Sequence, residues 1–120
     1  MANEIQLAAS LTATKNSAAI NSGAQTKLVT MAGVNLYEGT QNCAVTNSPI
    51  TFGSISGVPS ALLIKNMDNT NFVVISQEPA CANNFVKLLA GEVCLFPPGI
   101  AGLYWKGSGV CTCWVCATEA

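Results

Sequence analysis

Residues 61–106, ALLIKNMDNTNFVVISQEPACANNFVKLLAGEVCLFPPGIAGLYWK, hold apolar runs separated by short turn signals. Ala61 to Met67 and Phe72 to Gln77 are rich in aliphatic and β-branched residues. Between them, Asp68-Asn69-Thr70-Asn71 supplies side chains that hydrogen-bond their own backbone and tolerate left-handed angles. The expectation is a β-hairpin. Phe85 to Leu89 and Glu92 to Phe96 repeat the layout around Ala90-Gly91, where glycine can take positive φ, so a second hairpin is expected. Pro97-Pro98-Gly99 cannot continue a central strand, because imide nitrogens donate nothing to a ladder, and the chain must turn before Leu103-Tyr104-Trp105-Lys106.

Outward from this stretch the pattern stays β. Ile5, Leu7, Ala9, Leu11 and Ala13 alternate with Gln6, Ala8, Ser10, Thr12 and Thr14, a period of two that suits a half-buried edge strand or an extended arm lying on a neighbouring subunit. Lys15 to Gln25 reads as loop, Lys27 to Met31 as a second strand, and Gly33 to Thr40 as a short strand flanked by turns. Gln41 to Pro59 is polar and turn-rich around Ile50-Thr51-Phe52, with Asn47-Ser48-Pro49 and Gly57-Val58-Pro59 as turn signals. Val110 to Ala117 is a last strand, apolar on both faces. No segment shows helical periodicity. The reading is all-β: an antiparallel β-sandwich or jelly-roll-like barrel of about eight short strands, with residues 1–14 as N-terminal arm or edge strand and residues 15–120 as a single domain.

Composition narrows the function. With five lysines scattered at positions 15, 27, 65, 87 and 106 and no arginine, there is no basic stripe to neutralise phosphates or anionic lipid, so neither nucleic acid nor membrane is an expected partner. The absence of histidine removes the Ser-His and Cys-His dyads and every His-bearing metal site. No apolar run is long enough to span a bilayer, and Met1-Ala2-Asn3-Glu4 lacks the basic start and apolar run of a signal peptide. Only 9% of residues are charged at a mean hydropathy of +0.41, against about a quarter charged on an ordinary soluble surface. Apolar surface in such excess points to self-association or docking on a larger body.

Several phrases recur in a recognisable order. After the MANEI start and a Ser/Thr/Ala-rich arm (Met1 to Thr14) comes "GxPxxLxIKNxDxTNxV", carried by Gly57, Pro59, Leu62, Ile64-Lys65-Asn66, Asp68, Thr70-Asn71 and Val73. "FxKLxAGExxLFP" follows on Phe85, Lys87-Leu88, Ala90-Gly91-Glu92 and Leu95-Phe96-Pro97, and then "LYxKG" and a last strand. This order resembles a widespread group of small tailed-bacteriophage virion proteins, most specifically over residues 57–106. The resemblance implies a β-sandwich structural component of the particle: a head decoration or cement protein, with tail or neck placement as the variant. The six cysteines depart from that pattern.

Those cysteines are Cys43, Cys81, Cys94, Cys111, Cys113 and Cys116. Cys111-x-Cys113-x-x-Cys116 has a metal-like spacing, but zinc knuckles need a tight turn, and Thr112 and Trp114-Val115 favour extended chain. Extension puts Cys111 and Cys113 on one face and Cys116 on the other. Disulfides forming after release from a reducing cytosol are an alternative: Cys94 with one of Cys111, Cys113 or Cys116 within the chain, and Cys43 and Cys81, in expected loops, between subunits. Plain core packing is the other, since cysteine is among the most buried residue types. Asp68, among Asn66, Asn69 and Asn71, suits an Asx turn better than a calcium loop, which needs more carboxylates. Glu92 reads as a hairpin residue, with no second carboxylate near it in sequence for acid/base work. Tyr104, Trp105 and Trp114 fit core or subunit packing, or a sugar-stacking platform.

The expectation is a non-enzymatic homo-oligomer without cofactor, a trimer contacting the major capsid protein or other virion proteins and located on the virion. Its interface would draw on Ile5, Leu7, Leu11, Tyr104, Trp105 and Trp114. A receptor- or glycan-binding module of the tail, neck or a fibre is the main alternative, and a redox- or metal-responsive cysteine protein the second.

Overall fold

In the computed structural model, which describes residues 5–29, 31, 35–55, 58–98 and 102–119, the Asp68–Asn71 turn does not close a hairpin. The chain divides into two compact units, Met1–Ala32 and Gly33–Ala120. Residues 1–4 of the expected arm, Thr30, Gly33, Val34, Gly57 and Gly99 lie outside the described residues.

The first unit carries β1 (Ile5–Ala9), β2 (Thr12–Lys15), β3 (Ala18–Asn21) and β4 (Gln25–Val29). β1 pairs antiparallel with β4 from Ile5↔Val29 to Ala9↔Gln25, and β2 pairs with β3 from Thr12↔Asn21 to Lys15↔Ala18. The register slips by one between the two ladders, so one long hairpin runs from residue 5 to residue 29 with an irregularity at its middle. Asn16, at φ 55°, turns the tip in the left-handed conformation that asparagine tolerates. The segment 15–25, read from sequence as loop, therefore contains strand β3. Its small, polar residues hide the strand because what specifies it is the partner across the hairpin.

The second unit carries β5 (Leu36–Cys43), β6 (Ser48–Pro49), β7 (Pro59–Asn66), β8 (Val73–Ser76), β9 (Asn84–Leu88), β10 (Val93–Phe96), β11 (Tyr104–Gly107) and β12 (Cys111–Glu119). They form two four-stranded antiparallel sheets, β10-β7-β12-β5 and β6-β11-β8-β9. The first strand pairs with the last, and the chain passes back and forth between the sheets. This is the strand order of a double-sheet jelly roll.

Both expected hairpins are corrected by that topology. β7 is flanked by β10 and β12, so no side is left for β8, which pairs with β11 and β9 in the other sheet. β9 and β10 likewise part into different sheets, although the turn between them forms as expected: Glu92 N–H donates to the Leu89 carbonyl at 3.0 Å and Gly91 stands at φ +80°. Positive φ at the third residue is the mark of a type II turn, which splays its flanking strands instead of laying them side by side. The turn chemistry was legible, but what it joins was not.

The sheets pack face to face on one core. Leu62, Ile64, Val115 and Ala117 come from the first sheet, Val73, Ile75, Leu88 and Trp105 from the second, and Ile50, Phe52 and Leu103 from connections. Strand alternation produces it: in β12 the odd-numbered residues from Cys111 to Ala117 are buried and the even-numbered ones are not. Gly107, at the end of β11, is obligatory, because a Cβ there would strike the Gly109 carbonyl oxygen.

Two polar side chains, Asn66 and Ser76, are fully buried among the described residues, and Asn66 makes the more extensive set of bonds. Asn66, the last residue of β7, donates from Nδ2 to the carbonyls of Asn71 at 2.9 Å, Leu88 at 3.2 Å and Leu89 at 3.2 Å, while its Oδ1 accepts from Asp68 N–H at 3.0 Å. Its backbone N–H donates to Glu92 and its carbonyl accepts from Gly91. It thus fastens the β7–β8 crossover to the β9–β10 crossover. Asn66→Ala removes these bonds at a fully buried site, the one to the Leu88 carbonyl among them, and is expected to cost about 2–4 kcal/mol in urea unfolding. Lys65→Ala, on the exposed face beside it, should cost less than about 0.5 kcal/mol.

Candidate functional site

The cysteines come together differently from their sequence expectation. Cys111 and Cys113 project inward from β12 and are 0% exposed, and Cys116 lies on the opposite face, its thiol 3.8 Å from Glu38 Oε2. That division of faces agrees with the extended reading. Cys94 stands on β10 opposite Ile64 of β7, and β7 separates it from β12. Two strand spacings, about 9.6 Å, exceed the reach of a disulfide, so the bond expected between Cys94 and Cys111, Cys113 or Cys116 is ruled out within the fold. Cys43 is in strand β5 and wholly buried, not in a loop. Cys81 does lie in a loop, with its N–H bonded to the Glu78 carbonyl, but its side chain is buried too. Neither is presented for a bond between subunits.

Burial sets the chemistry of these groups. It pushes the Cys43 and Cys113 thiols up to about 12 and the Cys94 thiol up to about 11. Cys43 is raised further by Cys113, Cys111 and Cys81, and of these Cys111 and Cys113 share its hydrophobic cluster. Cys81, Cys111 and Cys116 are raised in the same direction, each chiefly by burial. A thiol held protonated is neither a nucleophile nor a metal ligand. Among the described residues no group of three or more Cys, Asp or Glu side chains is placed to hold a metal ion.

The Asp68 loop is an Asx turn. Oδ2 of Asp68 accepts from Asn71 N–H at 2.6 Å, Thr70 N–H at 2.9 Å and the Thr70 hydroxyl at 3.3 Å. The backbone bonds from Asn71 and then Thr70 hold its carboxyl below the ordinary carboxylate value. Glu92 has a similar local task, with Oε2 accepting from Leu89 N–H at 3.1 Å.

The aromatic residues do not share a platform. Trp105, one of the expected interface residues, is 1% exposed and is the largest side chain of the core, on the inward face of β11 beside its cross-strand partner Ile75. Tyr104 and Trp114 are half-buried on the outward faces of different sheets, Trp114 between Thr40 and Lys65. Sequence reasoning missed the edge-to-face pair of Phe85 and Phe96, with centroids 5.7 Å apart, and the Lys87 ammonium 4.2 Å over the Phe72 ring. Only the tertiary approach of those residues discloses either contact.

Of the expected arm contacts, Ile5 is buried, Leu7 half-buried and Leu11 64% exposed. Every residue of β2 and β3 is exposed, and Ile20 at 60% and Leu28 at 53% extend the apolar surface of the hairpin. Ile20 and Leu28 escaped the sequence reading. Ile20 fell in a segment taken for loop, and nothing marked Leu28 as outward-facing.

Comparison with protein-family models, with curated proteins and with solved structures finds no match to this chain. The class is defined by its own strand order: an eight-stranded double-sheet jelly roll with a separate N-terminal β-hairpin unit.

Two pH responses follow. The raised thiols ionise near 9.0 in the unfolded chain but, for Cys43 and Cys113, only at about 12 in the folded one. Their contribution to stability is complete below pH 9 and is lost as pH climbs toward 12, so the urea midpoint under reducing conditions should fall across that window. Cys43→Ala/Cys113→Ala should flatten the fall. Asp68 acts with the opposite sign: its depressed carboxyl stabilises the fold above the ordinary value of 3.8 and ceases to do so as pH drops below it. Asp68→Asn should weaken the acid dependence of the midpoint between pH 5 and pH 2, by an amount kept small by solvent screening.

Proposed function

We propose that this chain is a non-enzymatic structural protein of a bacteriophage particle, a capsid decoration or cement protein that acts as a homo-oligomer, most simply a trimer. The observation that carries the proposal is the hairpin of residues 5–29, whose tip strands are exposed at every residue and which displays Leu11, Ile20 and Leu28. A two-stranded hairpin alone is marginal in water, so a chain that carries one gains by laying it on another surface. The jelly roll suits the same role, being an architecture of viral coat domains, as does the resemblance of residues 57–106 to small virion proteins. A charge-poor surface also favours close contact between copies and with the major capsid protein.

The mechanism is thermodynamic. Apolar area buried between subunits contributes about 25 cal/mol per Å² before the costs of association, and linked contacts on a repeating lattice add avidity. Many weak seams then hold a shell against internal pressure without any chemical step.

Light scattering of the purified protein on a sizing column should give an oligomeric mass, and the protein should co-sediment with capsids stripped of it. Leu11→Asp/Ile20→Asp should reduce the oligomer to monomer and weaken capsid binding by at least tenfold, with the melting midpoint of the jelly roll nearly unchanged. A monomeric wild-type protein that ignores capsids would sink the proposal.

A further inference from the structure

Antiparallel pairing puts Cys111 of β12 directly opposite Cys43 of β5. Opposed residues share a face, and both side chains are wholly buried, so their Cβ atoms enter the same part of the core. Cα atoms opposed in an antiparallel ladder lie about 4.5–5.5 Å apart, inside the 4.4–6.8 Å that a disulfide spans. The other combinations fail on the same geometry. Cys113 is diagonal to Cys43, about 7–8 Å away along the ladder. Cys111 and Cys113 project in parallel from one strand with about 6.6 Å between them, where the bond wants Cβ atoms about 3.8 Å apart. Cys94 lies beyond β7, and Cys116 points outward.

We infer that Cys43 and Cys111 are a site of oxidative modification, a disulfide that clamps the first strand of the jelly roll to the last, formed by exchange with a low-molecular-weight disulfide such as oxidised glutathione. In this structure none of the six cysteines is bridged to another. β5 is an edge strand paired in its sheet only with β12, and just beyond Cys43 the Ala44 carbonyl accepts from Gly107 N–H at 2.8 Å. Local opening of that end of the ladder together with this one bond frees Cys43 from Cys111 while β12 stays paired with β7. In the parted state the thiols regain ordinary acidity, which burial denies them when the ladder is closed.

One cysteine thiolate then attacks a sulfur of oxidised glutathione. The glutathione S–S bond breaks, and one glutathione leaves as thiolate and takes up the proton the cysteine gave to solvent. The second cysteine thiolate attacks the protein-side sulfur of the mixed disulfide and expels the second glutathione in the same way. Two protein thiols are oxidised to one disulfide and one glutathione disulfide is reduced to two thiols. The new bond closes a loop from residue 43 to residue 111, most of the second unit, and long loops gain most from closure.

The test uses the full chain, incubated with oxidised glutathione or with dithiothreitol, alkylated in denaturant and digested with trypsin. With lysine as the sole basic residue type, cleavage puts Cys43 in 28–65, Cys81 in 66–87, Cys94 in 88–106, and Cys111, Cys113 and Cys116 in 107–120. The expected product is 28–65 joined to 107–120, with fragmentation placing the bond at Cys43–Cys111 and the other four cysteines alkylated. The oxidised protein should melt higher than the reduced one by roughly 10 °C or more. Cys111→Ser should abolish the joined peptide, and Cys116→Ser, on the outward face, should retain it. Six alkylated cysteines after oxidation, a bond to Cys113, bonds only between chains, or glutathione left on the protein would each overturn the inference. The mapping of the wild-type chain decides the matter even where a variant fails to fold.

Discussion

A double-sheet β fold has to carry its chain from one sheet to the other without leaving backbone groups unpaired in the interior, and here that burden converges on Asn66. Its amide donates to three carbonyls and accepts from the Asp68 N–H, and its own backbone is bonded to the β9–β10 turn. A buried amide of this kind costs free energy unless satisfied, and satisfied it specifies one geometry. The crossovers at 67–72 and 89–92 depart from a common point. Once they are held there, β8 is delivered to β11 and β9, and β10 returns to β7. Among the described residues no buried side-chain nitrogen or oxygen lacks a partner, so the rest of the interior is free to be apolar.

Around that fastening the core is built from unusually soft material. Cys43, Cys111 and Cys113 occupy places that valine or alanine could fill, and Trp105 supplies the largest single buried volume. Desolvation first, and neighbouring negative charge second, keep the thiols protonated, and this is what makes a cluster of sulfurs compatible with a hydrophobic interior. The same burial separates what these groups are in the closed fold from what they become when the β5 edge parts. Packing and redox chemistry thus meet at one ladder, the pairing of the first strand of the jelly roll with the last.

The surface is uneven in a way that bears on association. Charges are few, and exposed apolar side chains occur in both units: Leu11, Ile20 and Leu28 on the hairpin, and Leu36, Val93 and Val110 among others on the jelly roll. Isolated apolar residues on a surface need no explanation. A whole hairpin exposed on both faces of its tip strands does, since it buries too little to hold itself. It is the part of the chain best suited to be completed by another molecule.

The all-β class, the alternation of β12, the separation of Cys116 from Cys111 and Cys113, and the turns at Asp68–Asn71 and Ala90-Gly91 were legible in the sequence. Each depends on neighbours within a few residues: side-chain period, β-branching, Asx bonding and glycine's access to positive φ. Two hairpins were expected where the chain changes sheet, because a turn signal states that the chain reverses and not which strand it will lie beside. β7 was filled on both sides by β10 and β12, from sequence-distant positions, and only that tertiary competition sent β8 and β9 elsewhere. The opposition of Cys43 to Cys111, the stacking of Lys87 on Phe72 and the burial of Trp105 belong to the same category. They depend on register between strands far apart in the chain, which local chemistry does not encode and closure of the two sheets on one core decides.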